Sequence, residues 1–357
     1  MTPLEIVRSL ALPLLIIGVS CGLVSWSKKR FGLEKAMSFF VTATLTFIII
    51  LVFVGAIVRA TGAGLGCPDW PTCWGQLIPP WKVEQVDLEK IDYERFERKA
   101  ERLGRDPSTV TREHILESFN PVHTWTEFVN RLTSLPVGFF SLCAVIAAFH
   151  FSPPRRKSML ILSWSALLII LINAVMGAMV VYSGLKPGII TLHLALAMGL
   201  ICLLVYCRRL LSSRSAFEKG RRLAPLVWGL LALVMIEGIL GTQVRELTDV
   251  LARSHQGEER AAWIGTLERS VVYLVHRSFS WLIVVFMAVV YYRAYQNGIV
   301  EKRAQVMAVL VILMMVMGLI LAQVGVYAWV QILHVGVASI MVTVLCDWGL
   351  VLQKAEN

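Results

Sequence analysis

The chain has 357 residues, of which 57% are apolar and only 16% charged, and its mean hydropathy is +0.68. That leaves too little polar surface to coat a soluble globule, so the composition describes an integral membrane protein. The formal net charge of +10 reflects where basic residues gather around the apolar runs, and it requires no nucleic-acid partner.

Nine apolar runs of about 20 residues have the length a helix needs to cross about 30 Å of hydrocarbon, and none shows the alternation of a barrel strand. In chain order they are 5–26, 36–58, 126–151, 158–182, 189–207, 223–244, 270–292, 304–324 and 328–351. The first is read as a retained extra helix and not a signal peptide, because its basic cluster follows the apolar run and no small-residue cleavage site is apparent. Lys28, Lys29, Arg30 and Lys35 fall on one side of the bilayer. So do Arg155, Arg156 and Lys157, then Arg208, Arg209, Arg214, Lys219, Arg221 and Arg222, then Lys302 and Arg303. The positive-inside rule makes that side cytoplasmic and leaves 59–124 and 245–269 outside.

Beyond the second run stands GLGCPDWPTCWGQLIPPW, residues 64–81. Cys67 and Cys73 are separated by five residues on an exterior, oxidising face, a spacing that fits a small disulfide-closed loop. Two free thiols or a redox-active pair are the alternatives. The other cysteines, at 21, 143, 202, 207 and 346, sit in or at the ends of apolar helices and read as small hydrophobes. The charged stretch 82–124, with Leu88, Ile91, Tyr93, Phe96 and Leu103 interspersed, predicts one or two short surface helices and suggests no chemistry.

The chain then repeats itself. Gly55-Ala56-Ile57-Val58-Arg59 is matched by Gly241-Thr242-Gln243-Val244-Arg245, and Phe128-Val129-Asn130-Arg131 by Leu274-Val275-His276-Arg277. The spacing of Gly177, Gly184 and His193 recurs as Gly318, Gly325 and His334. Each half crosses the membrane an even number of times, so the halves are parallel. The predicted fold is an all-α integral membrane protein, with two pseudo-symmetric parallel four-helix transmembrane bundles plus one extra N-terminal transmembrane helix. Its divisions are 1–35 for the extra helix and basic link, 36–207 for the first bundle with its exterior loop 59–124, 208–222 for a cytoplasmic linker, and 223–357 for the second bundle.

Ionisable groups at membrane depth need a partner or a task. His276 and His334 fall at one depth near the exterior, on two helices of one bundle, which is what bis-histidine haem ligation requires. A hydrogen-bonded interior histidine is the plainer reading of either one alone. Asn130 and His193 are the equivalent pair in the first half. Arg59, Arg131, Arg245 and Arg277 stand where guanidinium groups could meet haem carboxylates, or snorkel to lipid headgroups. Glu127 is one turn before Asn130 and could accept a proton or orient water, or could pair with Arg131 or Arg59. His123 lies seven residues before Asn130 and is either an interfacial residue or a substitute ligand; His114, His150 and His255 have no repeat partner and read as surface residues.

These residues together resemble the haem A synthase family, membrane enzymes of cytochrome oxidase assembly. The resemblance covers about residues 36–351 and rests on Val58 through Pro71 with Cys73 and the run Gly75 to Pro80, on Glu127 with Arg131, and on His193, His276 and His334. It implies oxidation of a ring methyl of haem O to a formyl group, giving haem A, through successive hydroxylations and loss of water from a geminal diol. It further implies haem b between His276 and His334 as an electron relay, with His193 ligating the substrate haem and Glu127 near the reacting carbon. A haem O synthase as donor, handover to cytochrome oxidase, and a multi-pass location among the lipids of the bacterial cytoplasmic (inner) membrane, with haem sites near the exterior face, belong to the same expectation. The family pattern is Glu-x-x-His-Arg, whereas this chain has Asn130 in the histidine position, leaving His193 alone, a water, or His123 to complete the substrate's coordination. Two rival classes remain at this level: a non-catalytic or quinone-linked dihaem electron carrier, and a membrane thiol oxidase built on the loop cysteines.

Overall fold

The computed structural model describes residues 3–353 apart from 92, 103–105, 154, 184, 186, 213–221, 256–257 and 298–301. Gly184 of the repeat, and Arg214, Lys219 and Arg221 of the linker, lie outside the described residues. The helices are α1 (Pro3–Phe31), α2 (Leu33–Ala60), α3 (Tyr93–Arg102), α4 (Arg112–Glu117), α5 (Pro121–Ala148), α6 (Arg155–Tyr182), α7 (Pro187–Leu210), α8 (Ala224–Ser254), α9 (Ala261–Arg269), α10 (Val271–Gln296), α11 (Lys302–Leu319) and α12 (Ala328–Gln353). Nine of them are long and apolar enough to span a bilayer among the described residues: α1, α2, α5, α6, α7, α8, α10, α11 with its π-helical end, and α12.

The helix starts follow ordinary end chemistry. Asn120 accepts a hydrogen bond from the His123 amide at 3.1 Å, with Pro121 in the first helical turn where its missing N–H costs nothing. Ser270 caps α10 in the same way, through the Tyr273 amide. The ends depart from the apolar runs where polar residues continue a helix beyond the hydrocarbon. Accordingly α8 reaches Ser254, ten residues past the expected 244, and α5 begins five residues before 126.

Packing closes two rings of four. In one, α2 meets α5, α5 meets α6, α6 meets α7 and α7 returns to α2; in the other, α8, α10, α11 and α12 join in the same order. The extra helix α1 lies outside, against α2 and α5. The rings share a seam of α2 and α7 against α12 and α8. The helix α12 is the most enclosed span, with 61% of its apolar window buried against at most 39% elsewhere. At that seam Gly336 allows Phe53 to lie on the α12 backbone, since a Cβ there would stand 2.1 Å from the ring.

Polar clamps pin the seam at both ends. At the end carrying the basic loops, Asp347 of α12 is held by Arg209 of α7, by Arg208 at 3.1 Å and by Arg303 of α11 at 2.9 Å. At the opposite end, Asp249 of α8 pairs with Arg59 of α2 and with Arg245 at 3.0 Å. A carboxylate shared among guanidinium groups in a low-dielectric setting costs far more to break than an exposed pair.

Candidate functional site

Directly after α2 the chain folds back over the mouth of the first ring. Cys67 and Cys73 are joined in a disulfide, and the Asp69 carboxylate receives the amides of Trp74 at 2.7 Å and Gly75 at 3.0 Å. The loop lies directly on the start of α5. Gly66 is packed so closely there that a Cβ would be 2.3 Å from the His123 carbonyl oxygen, so no other residue fits without moving the backbone. Trp74 donates from its indole to the Gly66 carbonyl at 2.8 Å and to the Thr124 hydroxyl at 3.0 Å. The Tyr182 hydroxyl at the end of α6 donates to the Trp70 carbonyl at 2.8 Å.

The charged stretch after the loop is its buttress. Ile91 and Ile115 are buried against the disulfide and Trp74, with Phe96 and Phe119 packed around them, so that α3 and α4 form a small second core. That core explains why apolar residues were interspersed through an otherwise polar segment.

Beneath the loop, one cavity of about 1650 Å³ runs through both rings. It exceeds the roughly 300–1,000 Å³ usual for a drug-sized ligand, and so has room for more than one large planar group. Glu127, Asn130, Arg131, Arg59, His193, Arg245, His276, Arg277 and His334 all line it. His123, half-buried at the start of α5, is not among its lining residues. Thr191 of α7 and Thr242 of α8 meet at 2.8 Å across the seam and also face the cavity.

Four positions around the cavity share one construction. A methyl placed on Gly177 would stand 3.5 Å from Cε1 of His193, one on Gly241 3.5 Å from Cε1 of His276, and one on Gly318 3.9 Å from Cε1 of His334. The fourth glycine, Gly55, stands in the same way 3.9 Å from Oδ1 of Asn130. In each case a glycine on one helix makes room for the candidate ligand on the next spanning helix. The Nδ1 atoms of the three histidines and Oδ1 of Asn130 are buried without a properly directed hydrogen bond. Buried polar atoms left in that condition are rare and call for a reason.

The charged residues divide differently from a set of four free arginines. Arg131 donates to Glu127 Oε1 at 2.6 Å and to the loop carbonyls of Asp69 and Thr72, each at 2.8 Å. Glu127, 4% exposed, receives the Cys67 amide on Oε2 at 2.8 Å. The carboxylate at the cavity wall therefore pairs with Arg131, one of the two arginines considered for it, and is tied to the disulfide loop. Arg59 and Arg245 share Asp249, as described above, while Arg277 is exposed at the rim.

Sequence reasoning missed Glu237, Ser280 and Arg260, which also line the cavity. Glu237 of α8 lies 3.1 Å from His276 Nδ1 and receives the Ser280 hydroxyl. Arg260 donates to the carbonyls of Leu321, at 3.1 Å, and Ala322, at 2.8 Å, in the π-helical end of α11. A carboxylate amid the apolar run of α8 was the available signal for Glu237.

A family model described as cytochrome oxidase assembly protein matches residues 38–346. The chain is similar to a protein named Heme A synthase from Shewanella oneidensis, 28% identical over 204 residues that make up 56% of this chain and 52% of that one. A protein of the same name from Listeria welshimeri is 24% identical over 343 residues, covering 91% of this chain and 98% of the relative. A third, from Bartonella quintana, is 24% identical over 249 residues, covering 68% and 64%. The matched stretch thus spans about half of the Shewanella protein and nearly all of the Listeria one.

Proposed function

Because the chain belongs to the cytochrome oxidase assembly protein family, we propose that it makes haem A for cytochrome oxidase, oxidising a ring methyl of haem O to a formyl group. The supporting observation is the four-fold construction of glycine against ligand position around one cavity, occupied by three imidazoles and one amide. The residues present fit a haem. Imidazole is an established axial ligand, the cavity is large enough, and the buried Nδ1 atoms of the three histidines make no properly directed hydrogen bond.

In this reading His276 and His334 hold haem b in the second ring, and His193 binds the iron of the substrate haem O in the first. When bound, haem b supplies one-electron transfer. Asn130 cannot replace an imidazole as a strong ligand, which leaves one side of the substrate site without a permanent occupant and lets substrate enter and product leave. Glu127 lines the cavity and is fixed by Arg131 and the Cys67 amide, so its carboxylate is oriented at the substrate's edge, where it would take or relay a proton. The disulfide loop holds Glu127 and Arg131 in place while excluding bulk water from the mouth. By the positive-inside rule this end faces the exterior, and the basic end faces the cytoplasm of a multi-pass protein of the bacterial inner membrane. The substrate's source would be a haem O synthase.

The test is pigment extraction from membranes in which the protein is produced with a haem O source. Haem A in the extract is the expected result; its absence from intact protein overturns the reading and favours a dihaem electron carrier. The carrier reading draws on one observation, that Glu127 is already held by Arg131 and the Cys67 amide and so has a structural task without any chemistry.

A further inference from the structure

We propose that Glu237 is the positioning residue for the imidazole of His276 and that its carboxylate lowers the reduction potential of the haem held there, an inference that rests on His276 being an iron ligand. Glu237 lies one turn before Gly241, the glycine that faces His276, so helix geometry places both on the side of α8 turned to the ring. Oε1 of Glu237 is 3.1 Å from Nδ1 of His276, and their side chains are 14% and 20% exposed. Ser280 joins the two, donating to Glu237 Oε1 and lying 2.9 Å from the His276 carbonyl oxygen. Glu237 Oε2 and His276 Nδ1 are both buried without a properly aligned hydrogen bond. At that separation it is the orientation of the imidazole, not its position, that keeps the Nδ1–H off the carboxylate.

The position is distinctive. One turn before the other three glycines stand Leu51, Asn173 and Met314, so only one of the four ligand positions has a carboxylate behind it. Beside His193 the polar group is the neutral backbone carbonyl of Asn173. A ligating histidine ordinarily gives its second ring N–H to a carboxylate or carbonyl, which fixes the ring and raises its basicity. With Nδ1–H donated to Glu237, Nε2 is the nitrogen left for iron. A more basic ligand and a buried negative charge both favour the ferric state, which makes this haem the stronger electron donor. A carboxylate in the middle of a spanning helix is costly, and a task at the metal accounts for its presence.

The full-length protein is purified with its haem, and its redox titration and low-spin ferric EPR spectrum are compared with those of Glu237→Gln. The variant is expected to keep its haem while the potential rises by an amount on the order of a tenfold change in the reduction equilibrium, about 59 mV for one electron, with altered g values. Unchanged potential and g values with haem retained overturn the inference alone. Absence of a doubly nitrogen-coordinated low-spin haem from the unmodified protein overturns the assignment of His276 and His334 instead, and the inference with it. Should Glu237→Gln lose haem, Ser280→Ala releases Oε1 while leaving the charge; altered g values with a smaller shift support the proposal, and an unaltered spectrum overturns it.

Discussion

The first ring presents His193 and Asn130 to the cavity and the second presents His276 and His334, from helices that follow one another in the same order and face equivalent glycines. Their surroundings differ as much as their ligands. In the first ring the cavity-lining Glu127 is bound to the covering loop; in the second, Glu237 lies 3.1 Å from the His276 imidazole. Where the second ring has Tyr273 the first has Glu127, and where the first has the loop with its buttress the second has, among the described residues, the short α9 and a small cluster of Leu251, Trp263, Leu267 and Tyr273. One backbone arrangement thus carries two differently lined halves of a single cavity, one with a loop-bound carboxylate and one with a carboxylate beside an imidazole.

The largest effect that would break this comparison is loss of ligation. His276→Ala or His334→Ala is expected to remove the tightly bound haem, read as disappearance of its low-spin Soret and α bands, while His193→Ala leaves them. Equal loss in all three variants would show that the rings are not specialised. Next, Glu127→Gln is expected to keep that haem yet lower haem A yield by about 100-fold, the scale of a missing acid–base group. Normal yield would assign Glu127 to holding the loop and nothing more.

Asn130→His sharpens the contrast. It supplies the fourth imidazole opposite Gly55 and restores the family's Glu-x-x-His-Arg pattern, so a second low-spin haem per chain is expected; haem stoichiometry and the low-spin EPR signal check it. The smallest effect is expected from Cys67→Ser with Cys73→Ser. Loss of the short covalent loop should cost on the order of 2 kcal/mol and lower the melting temperature of the covering segment, seen by hydrogen exchange at Cys67 to Gly75. The spectrum of the second ring should be unaffected. If haem content and turnover also stay intact, the loop serves another purpose.

Much was legible in the chain itself. The nine spans, the recurring Gly and His spacings and the small closed loop all follow from hydropathy, helical period and local backbone chemistry, which act over a few residues and are written in order. Apart from the Glu127–Arg131 pair one turn apart, partners of the charged groups were not legible. Arg131 turning to the loop carbonyls, Arg59 and Arg245 meeting on Asp249, and Glu237 arriving behind His276 depend on the rotation and relative depth of helices far apart in sequence. Inside a bilayer each buried charge must find a counter-charge or a polar partner somewhere. Composition says that the debt exists, and only the packed rings decide where it is met.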